Sequence, residues 1–455
     1  MLLRALPNKS ILRHYATKLD VLGVLRERGL IAQVSEPRSL LERKLERGEK
    51  IKLYCGADPT AKSLHLGNLL PLMVLLHFYV CGHDIVTLVG GATGMVGDPS
   101  GRKTERDALL DATRLDNISR INKQFSNFFR NAVNSYKQKF PDSEVNNGSC
   151  AHVNNYDWWQ NVKMLDFLAN YGKHIRIQSM LVRDSISSRL EARDGLGFNE
   201  FTYQILQAYD FYHLYENEDV TVQIGGNDQW GNITAGIDLI GRIATNTKNP
   251  PFGITVPLLT TSTGEKFGKS AGNAVFIDPE INTPYDMYQF FVNTTDADVG
   301  RFMKIFTFIP LDEIEHAVSS HLQCPHLRQG QRLLAREVVN LVHGPGKGDD
   351  AEMVSDVLFG RNCSGITGDE LVRVFREAGV LLECSRHSTL TEILIELAQC
   401  SKSEAKRRIK QGSIYLGPER TKVVDEVSSL DPYVIDGKVL ILRFGKQKCF
   451  VLKLC

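Results

Sequence analysis

Two apolar runs, each closing on glycine and separated by a helical pattern, restrict what this chain can become. "IKLYC", Ile51 to Cys55, reads as a buried strand followed by a loop containing Gly, Asp and Pro. Apolar residues then recur at helical spacing from about Leu64 to Val80. "HDIVTLVGGATG" supplies a second buried strand, Ile85 to Val89, running into a glycine-rich loop. Strand, helix and strand in that order, with glycines at the strand ends, predict a parallel sheet joined by crossover helices. Such sheets bind ligands beyond the carboxyl ends of their strands. The sheet pattern returns at "DVTVQIGG", Asp219 to Gly226, after a mostly helical stretch over 107–215. The expected fold class is α/β.

A chain of 455 residues has room for two to four domains at roughly 100–200 residues each. Helical spacing covers about 286–360, "GPGKGDD" at Gly344 to Asp350 reads as a linker, and a small α+β unit closes the chain from about His387. With 42% hydrophobic and 24% charged residues, the composition is that of a soluble globular protein. The best membrane candidate, Leu69 to Val80, carries Pro71 and His77 and falls short of the roughly 18 residues a span needs. No membrane partner is expected. None of the nine cysteines forms a C-x-x-C pair, which argues against a zinc knuckle or dithiol motif and for buried thiols in a reducing compartment.

Charge is balanced overall at +1, but not locally. From Lys402 onward twelve Lys and Arg stand against six Asp and Glu, a net of +6. A polyanion partner and a merely solvated surface are both compatible with that tail. At the other end, "MLLRALPNKSILRHYATK" holds Arg4, Lys9, Arg13 and Lys18 and no acid before Asp20. That pattern fits a mitochondrial transit peptide rather than a secretory signal. Arg13-His14-Tyr15-Ala16 resembles a processing site, so residues 1–15 are expected to be removed, with the mitochondrial matrix as destination.

Three glycine-bearing segments could handle phosphate. In "CGADPTAKSLHLGN", a strand ends, a loop turns and a helix begins with His65 near its first turn, where free N–H groups attract anions. His65 and Asn68 are three apart and face one spot, and Gly67 between them allows close approach of a flat base. "TSTGEKFGKSAGN", Thr261 to Asn273, is not a P-loop, because only three residues separate Gly264 from Gly268. Its Lys266 and Lys269 suit a leaving pyrophosphate whose charge grows in the transition state. "GGATGMVGDPSGRKTER" puts Asp98 past a buried strand, with Arg102, Lys103 and Arg106 behind it. An acid in the sheet crevice beside cations suits a zwitterion next to a polyphosphate. Each segment alone also reads as ordinary structure: a helix-face histidine, a solvated basic turn, a surface salt-bridge cluster.

His-x-Gly-Asn early and K-F-G-K-S late, on an α/β background, resemble the class I aminoacyl-tRNA synthetases. "LYCGADPTAKSLHLGNL", "LVGGATGMVGDPSGR", "FTYQILQAYDF", "QIGGNDQWGNI" and "KFGKSAGN" narrow the resemblance to the tyrosyl-tRNA synthetases, bacterial and mitochondrial branch, from about Leu22 to the C-terminus. The resemblance implies a Rossmann-like parallel-sheet catalytic domain over 16–285 with a helical dimerisation insertion at about 110–220. It further implies an α-helical anticodon-side domain over 286–386 and an S4-like RNA-binding domain over 387–455. Tyr54 and Asp210 would receive the phenolic hydroxyl of tyrosine; Asp98, Tyr203 and Gln207 would hold its ammonium; Gln223 and Gln229 would line the pocket. Asp58, Gly67, Gly226 and Asp228 would lie along ATP, with Thr60, His65 and Asn68 near its phosphates. Lys266, Lys269, Arg102 and Arg106 would clamp pyrophosphate.

ATP enters as substrate, Mg2+ rides mainly on its phosphates, no protein-bound metal is expected, and the partners are mitochondrial tRNA for tyrosine and a second copy of the chain. Trp158, Trp159, Leu165, Phe167 and Leu168 offer apolar anchors for that homodimer. Asn68 departs from the histidine usual in the first signature, Arg102 from a frequent lysine, and Phe267-Gly268 from Met-Ser in the second; Asn68 keeps a side-chain donor at similar reach. In the tail, "SKSE" at Ser401 to Glu404 predicts a capping box opening a helix that displays Lys406, Arg407, Arg408 and Lys410 before a strand at Ile414 to Leu416. The implied chemistry is attack of the tyrosine carboxylate on the α-phosphate of ATP, then transfer of tyrosyl to tRNA. Two rivals are a tryptophanyl-tRNA synthetase, which has no use for the Tyr54 and Asp210 pair, and an RNA-binding or splicing helper on the same scaffold.

Overall fold

The structure is a computed structural model that describes residues 20–455 except 102–103, 105–109, 142–147, 192–194, 245–248, 265–273, 360–364 and 446–447. The expected transit peptide, Arg102, Lys103, Arg106, Lys266 and Lys269 therefore lie outside the described residues. Contacts divide the chain into two units, Met1–Asp278 with Thr295–Gly330, and Pro279–Thr294 with Gln331–Cys455.

The first unit is built on six strands: β1 (Gln33–Val34), β2 (Lys52–Ala57), β3 (Asp84–Val89), β4 (Cys150–Asn154), β5 (Val222–Gly226) and β6 (Phe252–Val256). Their order is β1-β6-β5-β2-β3-β4, parallel throughout except for β1 against β6. The chain steps from β2 outward to β3 and β4, then returns to the other side of β2 for β5 and β6. Strand order thus reverses between β2 and β5, and a ligand crevice belongs at that point. β6 is buried at every residue, Thr255 included, as a strand covered on both faces should be. β4 lies inside the stretch expected to be mostly helical. It is an edge strand of half-buried and exposed residues, so neither alternation nor a continuous apolar run marks it.

Four helices position the crevice: α1 (Leu66–Val80), α2 (Asp111–Lys139), α3 (Phe198–Glu218) and α4 (Trp230–Ile243). α1 is buried nearly all round, as an apolar helix packed on a sheet should be. α2 grips both loops that leave the central strands. Arg114 donates to the Gly91 carbonyl at 2.8 Å and Asn117 to the Pro59 carbonyl at 3.0 Å. The Gln124 carbonyl accepts from Leu64 N–H at 2.9 Å and from the Ser63 hydroxyl at 3.1 Å. α3 and α4 approach closely because Gly236 has no side chain; a Cβ there would stand 2.7 Å from Cδ1 of Phe211. The helix Asp296–Phe306, expected in a separate helical domain, clusters with this first unit. One reason is Arg28, whose buried guanidinium donates to the Lys304, Thr307 and Ile309 carbonyls at the end of that helix.

The second unit carries β7 (Leu381–Cys384), β8 (Ile414–Leu416), β9 (Thr421–Val423), β10 (Val434–Ile435), β11 (Val439–Phe444) and β12 (Lys448–Leu454). The order is β7-β12-β11-β8-β9, with β10 beside β11. β11 alternates: Leu440 and Leu442 join a core with Leu394 and Ile409, while Val439 and Ile441 pack with Val354, Leu371 and Phe375. β7 pairs in parallel with β12, so the sheet begins before the expected boundary at His387. The expected linker at Gly344–Asp350 is a turn leading into the helix Lys347–Leu358, whose Gly348 lies so close to the Arg336 carbonyl that a Cβ would stand 2.2 Å from its oxygen.

α5 (Lys402–Lys410) starts on Ser401, which accepts from Glu404 N–H at 3.2 Å. The reciprocal half of the capping box is absent, because the Glu404 carboxylate pairs with Arg407 at 2.6 Å and Arg408 at 2.9 Å. Lys402, Lys406 and Lys410 are exposed one turn apart.

Candidate active site

A cleft of about 450 Å³ opens where β2 and β5 end. Every described residue expected to contact tyrosine or ATP lines it: Tyr54, Asp58, Thr60, His65, Gly67, Asn68, Asp98, Tyr203, Gln207, Asp210, Gln223, Gly226, Asp228 and Gln229. Tyr203, Gln207 and Asp210 come from one face of α3, as their spacing requires.

The deep end holds two buried groups, Tyr54 on β2 and Asp210 on α3, each 2% exposed. The Asp210 carboxylate accepts from the ring N–H of Trp158 at 2.8 Å and of Trp159 at 2.7 Å through one oxygen. Its other oxygen accepts from Asn155 at 2.9 Å. Burial pushes the Asp210 carboxyl up to about 7; the three donors oppose that rise, and the Asp58 charge adds to it. A carboxylate offers about four lone-pair sites, so one is left for a ligand hydroxyl. Beside it, the Tyr54 hydroxyl has no hydrogen-bond partner among the described residues, and neither does the buried carbonyl of Gln223. Burial, and secondarily the Asp210 charge, raise the Tyr54 phenol well above its ordinary range, so it stays protonated. An unpaired buried hydroxyl costs about 1–3 kcal/mol, a cost that a ligand hydroxyl placed between Tyr54 and Asp210 removes.

A second buried carboxylate, Asp98, accepts from Ser100 N–H at 2.9 Å and from the Gln229 amide at 2.8 Å. Between the two, Asp58 accepts from the Tyr203 hydroxyl and from the Thr93 hydroxyl, both at 2.8 Å. Asn155 donates to Thr93 at 3.0 Å as well as to Asp210, so a line of hydrogen bonds joins Asp210 to Asp58.

At the mouth, His65 is the N-cap of α1. Its Nδ1 accepts from Gly67 N–H at 3.1 Å, which puts the ring proton on Nε2. The Asn68 carbonyl accepts from His65 N–H at 3.0 Å, closing a capping box. Asparagine supplies both the acceptor that closes the box and an amide donor, which accounts for its place in the signature. Asp228 is exposed in the turn after β5.

The run "NNYDWWQN" carried more than its composition revealed. Trp158 and Trp159 read as interface anchors, but both ring N–H groups are committed to Asp210 of their own chain. The signal was available: a buried acid on α3 demands donors, and indoles are donors only. Asn155, Thr93 and Asn232, all buried, drew no role from the sequence, although Thr93 and Asn232 lie inside two of the quoted motifs.

A mostly parallel sheet with its cleft at the switch point, a histidine-capped helix at the mouth and a buried tyrosine–aspartate pair fit a class I aminoacyl-tRNA synthetase. Residues 46–360 match the family model described as class I tRNA synthetases (W and Y). The chain is 58% identical over 437 residues to the mitochondrial tyrosine–tRNA ligase of Saccharomyces cerevisiae, covering 96% of this chain and 89% of that one. It is 40% identical to tyrosine–tRNA ligase 2 of Bacillus cereus, covering 96% and 100%. Among solved structures, a C-terminally truncated mitochondrial tyrosyl-tRNA synthetase of Aspergillus nidulans matches with a TM-score of 0.67 and 37% identity over 74% of this chain and 93% of that one. The chain belongs to the tyrosine–tRNA ligases, the tyrosyl branch of that class.

Proposed function

We propose that the protein activates L-tyrosine with ATP and charges mitochondrial tRNA for tyrosine in the matrix, with the cleft residues dividing the work as follows. The phenol of tyrosine lies between Tyr54 and Asp210, and its ammonium faces Asp98, Tyr203 and Gln207. Asp228 holds ribose at the mouth. His65, through Nε2–H, and Thr60 meet the polyphosphate, and Lys266, Lys269, Arg102 and Arg106 stabilise the departing pyrophosphate. Mg2+ enters on the phosphates of ATP; among the described residues no group of three His, Cys, Asp or Glu side chains is placed to hold a metal. The tyrosine carboxylate attacks the α-phosphate directly, so the chain contributes position and charge, with no covalent intermediate on a side chain.

The observation that carries this reading is the orphan Tyr54 hydroxyl facing a carboxylate with one site open. ATP–pyrophosphate exchange with each amino acid tests it: tyrosine alone should support exchange, and equal rates with tryptophan or phenylalanine would end the proposal. Lys266→Ala and Lys269→Ala should lower the rate of adenylate formation more than tyrosine affinity.

A homodimer is supported by apolar side chains left exposed on the insertion, among them Leu165, Ile177, Val182 and Phe198. A concentration-independent monomer mass in sedimentation would refute it. For tRNA, the exposed lysines of α5 support phosphate tracking. Cutting at His387 would bare the face formed by Val354, Leu371 and Phe375, so substitution is the cleaner test. Lys406→Ala with Lys410→Ala should weaken tRNA binding and flatten its salt dependence, leaving tyrosine-dependent exchange unchanged.

A further inference from the structure

Asn232, on α4, does not line the cleft, yet it touches four of the groups that do or that support them. Its side-chain nitrogen lies 3.0 Å from the Gln207 carbonyl, 3.1 Å from the Gln229 carbonyl, 3.2 Å from the Ser100 hydroxyl and 3.5 Å from an Asp98 carboxylate oxygen. The residue is 1% exposed. The network itself fixes the orientation of each amide. Gln229 uses its nitrogen to donate to Asp98, so its carbonyl must be the end that faces Asn232. An Asn232 oxygen in the nitrogen's place would face the Gln229 carbonyl and the Asp98 carboxylate with no proton between them.

We infer that Asn232 is a positioning residue for the ammonium of tyrosine, acting through Gln207, Gln229 and Asp98. This rests on the assignment of that end of the cleft to the ammonium. The amide of Asn232 holds the Gln207 carbonyl in a fixed direction while leaving its second lone pair free for the substrate. Through Gln229 and Asp98 it also braces the carboxylate that neutralises the ammonium. Gly236 lies one turn further along α4 and allows the close crossing with α3 on which the Asn232–Gln207 contact depends.

A ligand that lacks the ammonium separates this role from a general packing role. Calorimetry of the full chain would compare L-tyrosine with 3-(4-hydroxyphenyl)propionate, which keeps the phenol and the carboxylate. Asn232→Ala should weaken tyrosine roughly tenfold, the worth of one hydrogen bond to a buried group, and change affinity for the deaminated ligand less than about twofold. If Asn232→Ala does not melt cooperatively, Asn232→Ser, with a donor of shorter reach, goes through the same comparison and should show the same preference in its losses. Equal losses for both ligands, or no loss for either, would overturn the inference. Asp98→Asn serves as control. If it collapses the ratio of the two affinities while the Asn232 variants do not, only the role of Asn232 fails. If it leaves the ratio unchanged, the ammonium assignment fails and the inference falls with it.

Discussion

Asp210 and Asp98 are buried carboxylates in one cleft, but they are held by different chemistry. Asp210 is gripped by two indole N–H groups and one amide, donors on large, stiff or fully buried side chains. Asp98 is held by a backbone N–H and a set of amides that also bond one another. Indoles cannot accept, so in the first arrangement the two that hold Asp210 can only donate to it, which suits the proposed reading of a hydroxyl there. Amides both give and accept, so the second can share its atoms with a charged ligand. On the proposed assignment the two ends of the cleft read two different ends of tyrosine, and each can be damaged separately.

Removing the charge at the second end should do the most harm. Asp98→Asn leaves the substrate ammonium without its buried counter-charge, and tyrosine affinity should fall on the order of a hundredfold or more. Competition binding would read it, and a loss under threefold would show that Asp98 is not the counter-charge.

Acidity should act on the Asp210 end. The Asp210 carboxyl of the free protein is raised to about 7, above its ordinary value, chiefly by burial. The ionised form is the stronger acceptor for the phenolic O–H, so on the proposed assignment tyrosine affinity should fall as pH drops below about 7. Phenylalanine binding should not follow this curve. The sign for stability is opposite. Raised above its unfolded value, the folded carboxyl favours the native state at low pH, and that contribution is lost as pH rises through about 7.

Trp159→Phe removes one of the three donors to Asp210 and should weaken tyrosine severalfold. It should also move the midpoint of the pH dependence upward, because one of the interactions opposing the rise is gone. An unchanged midpoint would show that the second indole is only packing. Gly236→Ala acts first on stability rather than on recognition, because it forces α3 and α4 apart at Phe211. The expected cost is about 1–3 kcal/mol of stability, read as a lowered melting temperature.

The cleft was legible in the sequence where chemistry follows the backbone period. Tyr203, Gln207 and Asp210 share a face because four- and three-residue steps put them there, and glycines marked both strand ends that frame the crevice. What stayed hidden was tertiary. Asn155, Trp158, Trp159 and Asn232 acquire their roles only when the segment after β4 and the start of α4 close on α3. β4 itself was hidden by weak patterning at a sheet edge. The tail was legible in its strand at Ile414–Leu416 and its helix start, whereas the use of Glu404 for Arg407 and Arg408 required knowing which carboxylate rotamer the helix selects.

The central claim is that the buried pair Tyr54 and Asp210 selects the substrate by its hydroxyl. Tyrosine- and phenylalanine-dependent ATP–pyrophosphate exchange, measured in the parent protein and in Asp210→Ala, tests it directly. The parent should strongly prefer tyrosine, because phenylalanine leaves Tyr54 and Asp210 unpaired in a buried site. Asp210→Ala should lose most of that preference, through a large fall in the tyrosine rate. A variant that kept the parent's full preference for tyrosine would contradict the account.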